Sequence, residues 1–549
     1  MPNLSQIKRQ RMMDFLAQIK EEHKDDDAML IALGEIESEL NAKKYGLVWE
    51  EHEEAVDVKM RTHIPVFTED ASKELTRDTG GIYNFILEGD NLHSLRLLEK
   101  TLSSSISGIL IDPPYNTGTQ DFVYDDSYVG RDDAFYHSKW ISFMYHRLLL
   151  AKNLLTKTGL LFIHINDIEM ANLRLLCNEV FGETNFVGSF MWKNRKALDS
   201  RNKTKFSNNH EYVIVYARDI EFATLVGKEA SKEKYSNPDN DPRGIWLSCS
   251  ILGLANAQQR PNLHYDLIDP DTGIVYPPNP NTGWRYSRET VAQKIKEGRI
   301  LFPDKPTGRP REKKFYNEIM SKYTGVSSVL PEDIGYTEDS SKEINDIFGK
   351  RAFDFPKPVS LMKFLIAQIP DRNAIILDFF AGSGTTAQAV LEQNTEDGGN
   401  RRFILCTNNQ NGICENITYP RIKTVISGMR SDGSKYSDGI PANLKYYRTD
   451  FVSKDEEYLS DALLEHIAEM IQLEHGVKLD GENYIMILDD DEADDLAANW
   501  SDYPDVKALY VSKNVLFTTE QNALFKDVEV HIIPDYYFNF ELREVGETW

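Results

Sequence analysis

The sequence predicts an α/β fold built on a mostly parallel sheet. Short apolar runs of strand character alternate with segments of helical period from residue 83 to 217, and again from 353 to 429. Two of the strands end in motifs suited to the carboxyl edge of such a sheet. Ile106 to Ile111 runs into Asp112-Pro113-Pro114-Tyr115-Asn116, and Ile375 to Leu377 runs into Asp378-Phe379-Phe380-Ala381-Gly382-Ser383-Gly384-Thr385-Thr386. Ligands of open α/β sheets bind beyond the carboxyl ends of strands, so both stretches are candidate site segments.

At 549 residues the chain is long enough for two or three domains. No apolar run has the length of a membrane span, and Met1 to Phe15 lacks the apolar core of a secretory signal. Cys177, Cys249, Cys406 and Cys414 form no C-x-x-C pair, which argues against zinc or a disulfide framework and fits a reducing cytoplasm. The net charge of −25 speaks against a nucleic-acid partner only if charge is spread evenly. It is not: acidic residues crowd Glu21 to Asp27 and Asp489 to Asp495, and basic residues cluster mid-chain.

Residues 1 to about 60 read as charged amphipathic helix. Tyr83 to Glu88 reads as a strand, followed by the turn Gly89-Asp90-Asn91 and a helix. After Asn116 a polar, aromatic loop runs to Asp133, with the character of a lid. His137 to Leu155 has helical period, Gly159 to Ile165 strand character, and Asn172 to Phe181 helical period again. Asn185 to Trp192 and Glu211 to Ala217 are further strands. His164 sits at a strand end, where a structural role is the stronger reading. Between 193 and 350 the alternation breaks, yet apolar residues persist, so this stretch is an inserted domain rather than a linker. Pro356 and Pro358 flank Lys357 and open a helix. Strands follow at Ile375 and at Arg402 to Cys406. Beyond 445, strands at Tyr484 to Leu488, Ala508 to Val511 and Val528 to Ile533 suggest a small acidic α/β domain.

The glycine turn lets a ligand approach the backbone at a helix N-terminus, although a tight βα turn without a ligand has the same form. It lacks the lysine of a phosphate loop and the full spacing of a dinucleotide fingerprint. Asp112 and the Pro113 carbonyl can both accept hydrogen bonds from an amine, and Tyr115 offers a face for stacking a base.

Together, Asp112 to Tyr115 and Asp378 to Thr386 resemble the amino-methyltransferases of DNA that use S-adenosylmethionine, most closely the modification (Mod) subunits of Type III restriction-modification systems. Tyr45 to Trp49 resembles a stretch preceding the catalytic domain in those proteins. The resemblance implies a Rossmann-like methyltransferase sheet in permuted order, acceptor motif before donor motif, as in the β group. It implies a helical extension (1–60), an acceptor half (61–192), a target-recognition insertion (193–350, strand 211–217 returning to the sheet), a donor half (351–440) and a C-terminal α/β domain (441–549). By the same resemblance Asp112, Pro113, Pro114 and Tyr115 are catalytic. Asp90, Asn91, Lys357, Asp378, Phe380, Gly382, Gly384, Thr385 and Asn408 bind S-adenosyl-L-methionine. Asn408 stands where relatives often carry a ribose-binding acid. Lys193, Arg195, Lys196, Arg201, Lys203 and Lys205 are expected to contact DNA phosphates. Asp at the head of the tetrad favours adenine N6 over cytosine N4, and a non-enzymatic recognition subunit is the other alternative. The family further implies double-stranded DNA as substrate, a homodimer, and a helicase-nuclease (Res) partner, since the chain has no G-x-x-x-x-G-K-[ST] loop of its own. No metal site is expected.

Overall fold

The computed structural model describes residues 4–24, 26–41, 47, 49–78, 81–118, 122–124, 127–198, 204–229, 232–318, 323–479 and 481–547. Most of the stretch 45–49 therefore lies outside the described residues. Nine strands form one sheet: β1 (His63–Glu69), β2 (Tyr83–Glu88), β3 (Ile106–Ile111), β4 (Leu155–Ile165), β5 (Phe186–Lys193), β6 (His210–Ala217), β7 (Ile375–Asp378), β8 (Arg402–Thr407) and β9 (Asn443–Ser453). Their order is β1-β9-β2-β8-β7-β3-β4-β6-β5. The six strands from β9 to β4 are parallel, and antiparallel β1 and β6 flank them. β3 is buried along its whole length, as its largely apolar run requires.

The centre of the sheet is the pairing of β7 with β3, where Ile376 lies opposite Gly108 and Leu377 opposite Ile109. A Cβ on Gly108 would sit 2.2 Å from Ile369 Cδ1, so the bare backbone is what admits Ile369 here. The two motif-bearing strands are thus neighbours, and the chain enters the sheet in permuted order. One strand departs from the division into halves: β2, within the expected acceptor half, lies on the donor side between β8 and β9. Its Phe85 to Glu88 pairs with Ile404 to Thr407.

The expected boundary at 441 also shifts. β9 is an inner strand of the main sheet, and the helices Leu459–Leu464 and Ile467–His475 add Leu459, Leu463, Ile467 and Met470 to the core shared by β2 and β3. Charged residues hide this strand in the sequence. Lys445 is buried because its amine meets Glu69 Oε1 at 2.6 Å, and Arg448 Nε meets Glu88 Oε2 at 3.0 Å. Farther on, Tyr484–Ile487, Ala508–Ser512 and Glu529–Ile533 form a separate three-stranded parallel sheet.

The chain forms two compact units. The first joins residues up to Leu225 with those from Ser327 onward, and the second is Val226–Val326, narrower than the expected insertion of 193–350. The flanks belong to the first unit because β6 returns to the sheet and Leu330 N–H donates to the Met191 carbonyl of β5. The second unit has a three-stranded antiparallel sheet, Trp246–Ser250, Arg311–Phe315 and Ile300–Leu301, over a core of Ile251, Tyr265, Tyr276, Trp284 and Val291. Among the described residues no helix is long and apolar enough to cross a membrane.

Candidate active site

β3 delivers Asp112 to the carboxyl edge of the sheet, and Pro113 and Pro114 fix the backbone that follows. The turn is held from below. Trp140 Nε1 donates to the Pro114 carbonyl at 2.7 Å. Buried Asn116, at a φ of +56°, donates to Glu169 Oε1 at 2.6 Å and to the Tyr136 carbonyl at 3.2 Å. Glu169, fully buried, also binds Asn172 Nδ2 and His137 Nδ1, each at 2.7 Å.

Asp112 and Tyr115 line a cavity of about 1020 Å³, together with Asn194, Arg195, Glu211 and Lys357. Lys357 Nζ donates to Asp112 Oδ2 at 2.6 Å and lies 3.6 Å from Glu211 Oε2. Tyr115 donates its hydroxyl to the same Glu211 oxygen at 3.0 Å, and Asn194 Nδ2 donates to Glu211 Oε1 at 2.8 Å. Burial alone would raise the Asp112 carboxyl. The Lys357 ammonium, with lesser help from the Tyr115 hydroxyl, outweighs burial and holds Asp112 below the ordinary carboxylate range. Burial and the two carboxylates push the Tyr115 hydroxyl well up, so it stays a donor. Asp112 Oδ1 has no hydrogen-bond partner, which leaves acceptor capacity unmet. His164 is fully buried on β4, and neither ring nitrogen has a partner. Burial, then Lys357, depresses it to about 3, so the ring is neutral.

A second cavity, of about 990 Å³, opens beside β7 and β8. Asp90, Asn91, Phe380 and Asn408 line it, with Glu54, Phe143 and Thr407. Asp90 caps the helix Asn91–Leu102 by accepting from Leu92 N–H at 2.8 Å. Asn91 Nδ2 donates to the Phe379 carbonyl at 2.7 Å. Gly382 and Gly384 take φ of +49° and +76°, left-handed conformations that other residues resist. A Cβ on Gly382 would lie 3.4 Å from Phe353 Cζ.

Four expected donor residues are placed differently. Asp378, Gly382, Gly384 and Thr385 build the turn without lining this cavity. Asp378 accepts from Phe380 N–H at 3.0 Å and from the Thr386 hydroxyl at 2.5 Å, and burial raises its carboxyl to about 7. Thr385 Oγ1 accepts from buried Arg421 at 2.8 Å. Lys357, also expected on the donor side, reaches Asp112 instead. The two cavities meet at a shared wall of Pro114, Arg351, Phe353 and Asp354.

Residues 106–418, more than half of the chain, match the family model for DNA methylases. The chain belongs to the DNA methylase family. Among curated relatives, the Type III enzyme StyLTI Mod subunit of Salmonella typhimurium is 32% identical over 72% of this chain and 65% of its own length. Type II methyltransferase M.KpnI of Klebsiella pneumoniae is 33% identical over 66% of this chain and 87% of its own. The Type III enzyme EcoPI Mod subunit of Escherichia phage P1 is 29% identical over 67% and 64%. The chain thus spans slightly less than two thirds of the length of the two Mod subunits.

The basic residues of this chain are unequal. Arg195 lines the Asp112 cavity, whereas Lys193 is paired with Glu332 at 2.6 Å. Lys196 lies 5.5 Å from the Tyr336 ring centroid, and Lys205 is exposed. Arg201 and Lys203 lie outside the described residues. In the second unit Lys313 is engaged by Asp239 and Asp241, and Arg311 by Ser248. Glu211, Asn194, Glu54, Arg147 and Glu169 escaped the sequence reading. Glu211 had one usable signal: β6 is antiparallel, so its first residues, not its last, reach the active edge.

Proposed function

We propose that this chain transfers a methyl group from S-adenosyl-L-methionine to adenine N6 in duplex DNA by base flipping. The observation that carries the reading is the shared wall: a cavity holding Asp112 and Tyr115 abuts, across Pro114 and Phe353, a cavity beside the glycine turn. The second cavity fits the donor. Phe380 and Phe143, 5.8 Å apart, provide apolar surface, and Asp90, Asn91 and Asn408 provide polar groups. The donor supplies an electrophilic methyl group, whose carbon–sulfur bond breaks with both electrons left on sulfur as N6 forms its new bond. The chain's residues do the rest. Asp112 and the Pro113 carbonyl accept the two amine hydrogens and turn the N6 lone pair toward the donor cavity. Tyr115 stacks on the extruded base, worth about 1–3 kcal/mol. Arg195 and Lys196 neutralise phosphates beside the opening.

Similarity to two Mod subunits supports a place in a Type III-like system, as a cytoplasmic homodimer joined by a helicase-nuclease subunit. Sequencing that distinguishes N6-methyladenine from N4-methylcytosine, on host DNA with and without this gene, tests the activity. Methylated cytosine would overturn the choice of base, and unmodified DNA the whole reading. Light scattering tests the dimer, and cleavage that needs an added helicase-nuclease chain and ATP tests the partner.

A further inference from the structure

Methyl transfer leaves a proton problem at the amine. As N6 commits its lone pair to the new bond it gains a positive charge, and one N–H proton must leave. Asp112 is within reach but is a reluctant holder: with the Lys357 ammonium on Oδ2 at 2.6 Å, a neutral Asp112 forfeits the shorter of that buried cation's two carboxylate contacts. Lys357 has only 9% of its side chain exposed, and a second carboxylate, Glu211, lies 3.6 Å from its amine. Neither Lys357 nor Glu211 is used by any step of the proposed transfer.

We infer that Glu211 is the terminal proton acceptor of the reaction, reached from Asp112 through Lys357. The inference rests on the methyltransferase reading above. The N6–H bonding pair returns to nitrogen and the proton passes to Asp112 Oδ2. Lys357 releases one ammonium proton to Glu211 Oε2 and takes the Asp112 proton in its place. Asp112 ends as carboxylate, Lys357 as ammonium and Glu211 as neutral acid, so charge and protons balance. The Glu211 carboxyl lines the open cavity, where water takes the proton and restores the starting state. The hydrogen bonds from Tyr115 and Asn194 hold Glu211 in place for this. They also define the competing view, in which Glu211 merely props Tyr115.

Single-turnover methylation, on a duplex bearing a site found methylated in the host, separates the two. Glu211→Gln retains an oxygen for the Tyr115 hydroxyl but cannot take the proton. It should slow methyl transfer at least tenfold. Donor affinity by calorimetry, and base extrusion read as 2-aminopurine fluorescence at the target position, should stay within twofold of the parent. Glu211→Ala should be rescued by added formate in proportion to its concentration, and Lys357→Met should abolish that rescue. Parental rates for Glu211→Gln would overturn the inference. So would a slow Glu211→Ala that formate leaves slow, or a loss of rate matched by loss of 2-aminopurine signal, since each reduces Glu211 to a prop. A parental enzyme that methylates no DNA would instead sink the methyltransferase reading itself.

Discussion

Arg147, fully buried, grips both oxygens of Glu54, at 2.6 and 3.0 Å. The same guanidinium reaches Asn91 Oδ1 at 2.6 Å and Asp90 Oδ1 at 3.3 Å. One cation therefore ties the segment ahead of β1 to the floor of the cavity lined by Asp90, Asn91 and Phe380. Arg147→Met would strand two carboxylates and should cost about 3–5 kcal/mol of stability. Arg147→Lys keeps the charge but loses the fork, so its effect should be smaller on stability than on donor affinity. Chemical denaturation and calorimetry would check both, and unchanged donor affinity in a folded Arg147→Lys would detach this cluster from the cavity.

Asp112→Ala should lower methyl transfer by several orders of magnitude and leave duplex affinity close to that of the parent, because the phosphate contacts proposed above fall to Arg195 and Lys196 and not to Asp112. Asp112→Asn is the sharper variant: it keeps the shape but forfeits the charge that neutralises Lys357. Filter binding and methyl incorporation are the paired measurements. A parental rate in either variant would remove Asp112 from the reaction.

Gly382→Val places a branched side chain in a left-handed conformation and against Phe353. The wall between the cavities should shift, so donor affinity should fall at least tenfold in a variant that still melts cooperatively. Phe353→Ala in the Gly382→Val background should recover part of the space but not the backbone strain.

Asp378 gives a pH signature. Its carboxyl is raised to about 7 by burial, against 3.8 for the free side chain. Between those values the native state holds a proton that the unfolded chain has lost, so its contribution to stability is full below about pH 4 and fades as pH rises through about 7. His164 runs the other way: depressed from 6.5 to about 3, it costs stability as pH falls through that window. The difference in melting temperature from the parent should rise with pH between 4 and 7 for Asp378→Asn, and should rise as pH falls from 6.5 towards 3 for His164→Leu. Parallel curves for variant and parent would contradict the burial argument.

Replacing Arg195 and Lys196 by Gln should weaken duplex binding and reduce its log–log salt slope by about 1 for each phosphate no longer neutralised. Lys193→Gln should do less, because its amine already serves Glu332.

The sheet was legible because most of its inner strands are largely apolar runs, and the acceptor and donor motifs because proline and glycine force their turns. β9 was not, since buried Lys445 and the charged Arg448 read as surface until Glu69 and Glu88 are beside them. The site was half legible. Asp112 and Tyr115 announce themselves in a tetrad, but Glu211 and Lys357 join them only through tertiary pairing across β6 and the Pro356–Pro358 turn. Asp378 was visible as an acid at the turn, yet only its bonds to Phe380 and Thr386 show that it holds the loop rather than faces a cavity.

The pairing of Gly108 with Ile376 has a bearing on biosynthesis. β3 leaves the ribosome long before β7, by on the order of tens of seconds at ordinary elongation rates. Throughout that interval the nascent chain carries a parallel strand of largely apolar character with one flank bare, the kind of edge on which chains stick to one another. Closure must then bridge the whole intervening segment, second unit included, though the entropy of closure grows only weakly with each added residue of such a loop. Yield of this protein should therefore respond to chaperone supply and growth temperature more than its final stability would suggest.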